Sequence, residues 1–168
     1  MSTIQEDVKT GQLKQIYLLC GDEAYQRNRY RDYLKNALCK DLDSMNINIY
    51  AGKDISVPAV IDAAETMPFF ADRRVVVLEN TELVKSGGEQ LGEYLLEMEA
   101  STVFIFSESA IDKRSKLYKA IAKVGRAIEF ERQNEQTLKR WILGLLKKEQ
   151  KQITGQTLDL FLQKTGDD

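Results

Sequence analysis

Apolar residues in this chain fall into short continuous runs that alternate with stretches of helical spacing. Ile16–Cys20 (IYLLC) is a run of strand formers closed by Gly21 and Asp22. Asp22 reads as the cap of a helix whose apolar positions are Tyr30, Tyr33, Leu34, Ala37 and Leu38. Residues 47–50 alternate with Asn46 and Asn48, as a half-buried edge strand does, and Ala51-Gly52 stops them. Ser56 reads as the next cap, with Pro58 tolerated in the first turn and Val57, Val60, Ile61 and Ala64 at helical spacing. Residues 74–78 (RVVVL) and 102–106 (TVFIF) are continuous apolar strands, the pattern of a parallel sheet covered on both faces. Between them Leu91, Tyr94, Leu95 and Met98 mark a helix beyond Ser86-Gly87-Gly88. Asp112 then reads as the cap of a helix carrying Leu117, Tyr118, Ile121 and Ala122, with Gly125 as its stop. Residues 126–130 (RAIEF) alternate and make a fifth strand.

Five strands separated by helices specify a three-layer α/β domain, because the crossovers must cover both faces of the sheet. The texture changes after Glu131. Asn134 opens a helix with Leu138, Trp141, Ile142, Leu145 and Leu146 on one side, and Thr154 caps a last helix with Leu158, Phe161 and Leu162. The expected division is an α/β domain over residues 1–132 and a small helical domain, or the start of one, over 133–168. The ending Thr165-Gly166-Asp167-Asp168 leaves little tail, which suggests truncation of a longer protein.

One segment fits neither period. In ETMPFFADRRVVVLEN, Met67, Phe69 and Phe70 are not spaced for a helix stripe and do not continue into the strand. Pro68 disfavours a helical conformation at Met67, and Ala71, Asp72, Arg73 and Arg74 separate the aromatics from the apolar run 75–78. Such a hydrophobic knuckle either plugs the end of its own core or serves as a plug for a partner.

Composition narrows the chemistry. With 168 residues, 43% apolar and 30% charged, the chain can bury a real core and is not disordered. No apolar run reaches membrane-spanning length and the N-terminus has no signal-peptide pattern, so no membrane partner is expected and the cytoplasm is the default location. Histidine is absent and Cys20 and Cys39 are the only cysteines. That removes His-based triads and the usual zinc ligand sets, and the two cysteines read as satisfied thiols of a reducing compartment, with nothing to support a disulfide between them. The net charge of −2 hides an asymmetry: residues 1–111 carry 11 Lys/Arg against 18 Asp/Glu, whereas residues 112–151 carry 12 against 5. The basic stretch, with Lys113, Arg114, Lys139, Arg140, Lys147 and Lys148, either solvates a surface or faces DNA or a partner. No aromatic stacking residues are interleaved with it.

A parallel sheet that begins strand–Gly–helix invites a phosphate-binding reading, and the turn CGDEAYQRNRY does not meet it. Gly21 stands alone, Asp22 and Glu23 repel phosphate, and no Lys-Ser/Thr pair precedes the helix. The three spaced glycines of a dinucleotide turn are missing too. Glu79 and Asn80 end a strand where a nucleotide hydrolase places metal-binding carboxylates, but Glu79 reads better as a polar strand end or cap. Ser107, Glu108 and Ser109 occupy a sensor-like place with the same reservation. Arg73 and Arg74 either support an acidic partner or solvate the strand entrance. No cofactor, metal or catalytic residue is assigned.

Taken together, IYLLCGDEAY, TMPFFADRRVVVLEN, TVFIFSES and KRSKLYKAIAKVGRAIEF resemble the N-terminal part of the delta-subunit family of bacterial DNA polymerase III, the clamp-loader subunit. NEQTLKRWILGLLKKEQKQITGQTLDLFLQKTGD is similar to its small helical second domain, so the resemblance covers nearly the whole chain. It implies an AAA+-like, P-loop-type fold with a degenerate phosphate loop and no intrinsic catalytic activity. It further implies a non-catalytic component of DNA-directed DNA polymerase III that binds and opens the beta sliding clamp in DNA replication. The clamp-binding element carries over to Met67, Phe69 and Phe70, with Pro68 and Ala71 shaping their presentation. Phe69 and Phe70 would enter the clamp's peptide pocket and Met67 would press on nearby surface. Family members also carry a third helical domain for assembly with the other loader subunits, which is absent from this chain, and primer–template DNA is a further partner of the complete loader. Two other readings stand beside this one: a diverged ATP-binding protein, and a primer–template DNA-binding module built on the basic stretch.

Overall fold

The computed structural model describes residues 3–39, 44–131, 135–148 and 151–165. They form two compact units, residues 1–130 and 131–168. The first is a five-stranded parallel sheet in the order β2-β3-β4-β1-β5, with β1 Ile16–Cys20, β2 Ile47–Ala51, β3 Arg74–Glu79, β4 Thr102–Glu108 and β5 Arg126–Glu129. Its helices are α1 Thr3–Thr10, α2 Ala24–Leu38, α3 Val57–Glu65, α4 Glu89–Leu95 and α5 Lys116–Val124. All residues of β1 and β4 are buried, as their unbroken apolar runs demand, and β2 is the half-exposed edge.

The period of two along each strand divides the core. Leu18, Val76, Leu78, Phe104 and Phe106 pack on one face with Val60 and Ala64 of α3, Leu91 and Leu95 of α4, and Leu117 and Ile121 of α5. Tyr17, Leu19, Val75, Val77 and Ile105 pack on the other with Ile4 of α1 and Leu34 of α2. The three-layer architecture follows from burying both faces.

Helix starts differ from the expectation in two places. Asp22 does not cap α2; Glu23 holds the N-cap position and makes no side-chain cap bond. Asp112 does not cap α5; its carboxylate accepts from the Arg114 backbone N–H at 2.8 Å, and Ser115 is the cap, its Oγ accepting from the Tyr118 N–H at 3.1 Å. A hydroxyl three residues downstream outcompetes Asp112, whose carboxylate is engaged by the Arg114 guanidinium. Ser56 does cap α3, accepting from the Ala59 N–H. Gly125 ends α5 in extended backbone, where a side chain would strike Ile16 at 2.6 Å.

α1 was not anticipated from the sequence. Asp7 on this helix accepts from the Tyr17 hydroxyl at 2.9 Å and pairs with Arg126 at 3.3 Å, while the same hydroxyl accepts from the Lys14 N–H at 3.0 Å. Burial pushes the Tyr17 phenol up to about 12.

Beyond the C-terminal end of β3 the chain turns through Asn80 and Glu82, both in the left-handed region (φ 49° and 60°) that strains non-glycine residues. One carboxylate holds the turn. Glu108, buried at the end of β4, accepts from Thr81 N–H at 3.0 Å, Thr81 Oγ1–H at 2.5 Å and Glu82 N–H at 3.0 Å. Burial raises its pKa, and the three donors oppose that shift.

Among the described residues the second unit has two helices, α6 Glu135–Lys148 and α7 Gly155–Thr165. Thr154 Oγ1 accepts from the Thr157 N–H, as a cap does, and Leu158 is buried. Asn134, expected to open the first of these helices, lies outside the described residues. Among the described residues no helix is long and apolar enough to cross a membrane.

Two outcomes are expected of this scaffold. Replacing Glu108 by Ala strands three donors and is expected to cost about 3 kcal/mol in urea unfolding; a cost under about 1 kcal/mol would show that the turn holds itself. The Tyr17 phenol titrates near 10 when unfolded and about 12 when folded. The unfolded chain therefore releases its proton first, so stability present below pH 10 falls by about 2 kcal/mol between pH 10 and 12. Tyr17→Phe is expected to lack that component of the alkaline loss in parallel urea titrations.

Candidate functional site

Because every strand is parallel, the sheet has two unlike rims. Strands leave at one, where a phosphate-binding turn is found in nucleotide-binding folds, and enter at the other.

At the leaving rim Gly21 adopts φ 111°, and a side chain there would collide with the Phe130 carbonyl. Phe130 N–H donates to Cys20 O at 2.7 Å and Glu23 N–H to Phe130 O at 3.2 Å, so the glycine lets the β1–α2 turn pass close under the end of β5. Glu79 Oε2 pairs with Arg31 Nη1 at 2.9 Å. Glu108 serves the Thr81 turn described above. Arg27, on the first turn of α2, is buried, with Nε and Nη1 lacking a hydrogen-bond partner. Burial lowers its pKa, against the field of the Glu108 charge. Among the described residues no group of three or more acidic or cysteine side chains is placed to hold a metal ion. Neither Cys20 nor Cys39 is in a disulfide, and burial raises the Cys20 thiol to about 11.

The entering rim carries the knuckle. α3 ends at Glu65, Thr66 turns extended, and residues 67–73 lead into β3. Met67, Phe69 and Phe70 are 84%, 57% and 94% exposed, while Pro68 and Ala71 are half-buried. The knuckle therefore does not plug its own core. The two phenyl rings meet edge to face, with centroids 4.6 Å apart, and Phe70 sits in the left-handed region at φ 50°.

Polar side chains hold the backbone beneath these rings. Asn46, buried in the 3-10 turn Ser44–Asn46 before β2, accepts from the Phe69 N–H at 2.6 Å and donates to the Phe69 carbonyl at 2.9 Å. Arg74 donates through Nε to Thr66 O at 2.7 Å, through Nη2 to Met67 O at 3.4 Å, and through Nη1 to Asn48 Oδ1 at 2.6 Å. Arg74 is buried, so it neither solvates the strand entrance nor faces an acidic partner; a guanidinium with that many carbonyl acceptors is satisfied inside. Met45, next to Asn46 in the chain, is 71% exposed. The sequence reading missed Asn46 as a site residue, because an asparagine before an edge strand carries no signal of a partner 23 residues away.

The basic residues are not one free cationic array. Lys113 pairs with Glu129 at 2.8 Å, Arg114 with Asp112 at 3.0 Å, and Lys139 with Asp159 at 2.7 Å. Arg140 and Lys147 are exposed, and the Lys148 side chain lies outside the described ones.

Known proteins match this arrangement. The chain is 24% identical over 162 residues to the DNA polymerase III subunit delta of Bacillus subtilis, covering 89% of this chain and 47% of that protein. The structure of the Bacillus subtilis DNA clamp loader delta protein superposes with a TM-score of 0.74 at 22% identity, over 95% of this chain and 50% of that one. A DNA polymerase III gamma subunit-related protein of Thermotoga maritima shares the fold at TM-score 0.58 and 10% identity, over 88% of this chain and 52% of its own. The chain thus spans about half the length of the relatives it matches. These likenesses show that the α/β unit shares the fold of those two proteins. A model of the family described as DNA polymerase III, delta subunit, matches residues 17–131, and the chain belongs to that family.

Proposed function

We propose that this chain is the clamp-engaging part of a clamp-loader delta subunit, docking on the beta sliding clamp through Met67, Phe69 and Phe70. The observation that carries the reading is the outward display of two phenylalanines and a methionine at the entering rim of a family member. Two phenyl rings moved from water into an apolar pocket contribute about 3–6 kcal/mol before association costs, enough for a focused hot spot. Opening the ring is then a matter of differential affinity: the docked surface must fit a displaced clamp interface better than a closed one. The work is mechanical and needs no intrinsic catalysis. Nucleotide control would reach this subunit through its partners, since Gly21 has a packing role and Glu79 and Glu108 already have partners of their own. Assembly with the other loader subunits and contact with primer–template DNA belong to the complete protein on this reading. A DNA-binding module draws less support, because Lys113, Arg114 and Lys139 are each paired with a carboxylate.

Calorimetric titration of the chain into beta sliding clamp tests the proposal, beside a Phe69→Ala/Phe70→Ala double variant. Both side chains are exposed, so the variant is expected to melt like the parent and to bind at least about a hundredfold more weakly. Equal binding would move the contact elsewhere on the chain, and no binding by the parent would overturn clamp docking by this chain.

A further inference from the structure

We infer that Asn46 is a positioning residue of the docking site: it locks the knuckle backbone in its docking conformation and thereby sets affinity. The inference rests on the reading of the knuckle as the clamp contact. Residues that point away from the core receive no conformational restraint from packing, and Met67, Phe69 and Phe70 all do so. Something else must hold them. Phe70 occupies a strained left-handed backbone, which persists only where its surroundings over-determine it.

The surroundings that do this are polar and address the backbone. Phe69 presents an N–H and a C=O to the same side chain, and the Asn46 carboxamide supplies one acceptor and one donor at 2.6 and 2.9 Å. An aspartate at that place would keep the acceptor and set an oxygen against the Phe69 carbonyl; an alanine would offer neither. Asn46 is buried with its side chain fixed, so the lock is built into the rim before any partner arrives. Arg74 secures two earlier carbonyls, of Thr66 and Met67, and is itself tied to Asn48 on the edge strand β2. Affinity scales with the fraction of molecules already in the competent conformation, so releasing the lock weakens binding without altering any residue that touches the clamp.

The test compares wild type, Asn46→Ala, Asn46→Asp and Arg74→Met by three readouts: clamp affinity, urea stability, and the rate of native-state chymotrypsin cleavage after Phe69 or Phe70. For Asn46→Ala the expected result is about tenfold weaker binding together with about tenfold faster cleavage at the knuckle, the loss attached to one or two hydrogen bonds. Asn46→Asp keeps the acceptor but turns a buried carboxylate oxygen toward the Phe69 carbonyl, so it should loosen the knuckle at least as much as Asn46→Ala. Arg74→Met, which releases the neighbouring carbonyls, carries the comparison where the alanine variant fails to fold. Cleavage at the knuckle is expected to rise more than global unfolding accounts for, which a purely structural role would not produce. Unchanged affinity and cleavage in a folded Asn46→Ala overturns the inference, as does a loss of binding that merely follows global stability. If wild type itself does not bind the clamp, the docking reading fails and this inference with it. The cleavage rates then still report whether Asn46 holds the knuckle, which separates the two failures.

Discussion

The constraint on which the rest of the molecule depends is that a parallel sheet must be covered on both faces. β1 and β4 are buried along their whole length, and because neighbouring strands run parallel, the chain passes from each strand to the next by a crossover and not by a hairpin. Every connection then ends at one of two rims. Turns that follow strands gather at one rim, and the segments that lead into strands gather at the other. The knuckle lies at the second because it joins α3 to β3. Its position is a consequence of topology before it is a consequence of its own residues.

The two rims use polar groups differently. At the leaving rim, acidic side chains are consumed internally: Glu108 fastens the strained Thr81 turn and Glu79 pairs with Arg31. At the entering rim, neutral and cationic donors grip backbone carbonyls and leave the apolar side chains unoccupied. This reverses the usual division, in which apolar side chains fix a loop and its backbone meets water. On the proposed docking reading, it presents an apolar surface whose backbone is held from beneath, the preorganisation that favours a hot spot.

Much of this was legible in the sequence because the core strands are extreme. RVVVL, TVFIF and IYLLC leave no room for another reading, and Ser56 with Pro58 marks a helix start by well-defined chemistry. The failure of Phe69 and Phe70 to fit either period marked the knuckle but left open whether it plugs its own core or faces outward, and the structure decides for exposure. What stayed hidden depends on distant partners. α1 earns its place through Asp7 meeting Tyr17 and Arg126, neither of them local. Asp22 and Asp112 looked like caps, yet capping depends on backbone geometry that a one-letter pattern does not contain. Arg74 looked like a surface charge because its acceptors are backbone carbonyls, which every residue has. Asn46 was invisible for the same reason.

Gly21 has a consequence for how such chains change over generations. Its bare Cα is required by the Phe130 carbonyl, a contact between two strands and a helix start that has nothing to do with phosphate. Packing of the sheet is therefore a sufficient reason for a glycine after the first strand, whatever residues surround it. A fold of this kind retains the outline of a nucleotide turn as a by-product of packing. The glycine by itself is thus no evidence for nucleotide chemistry.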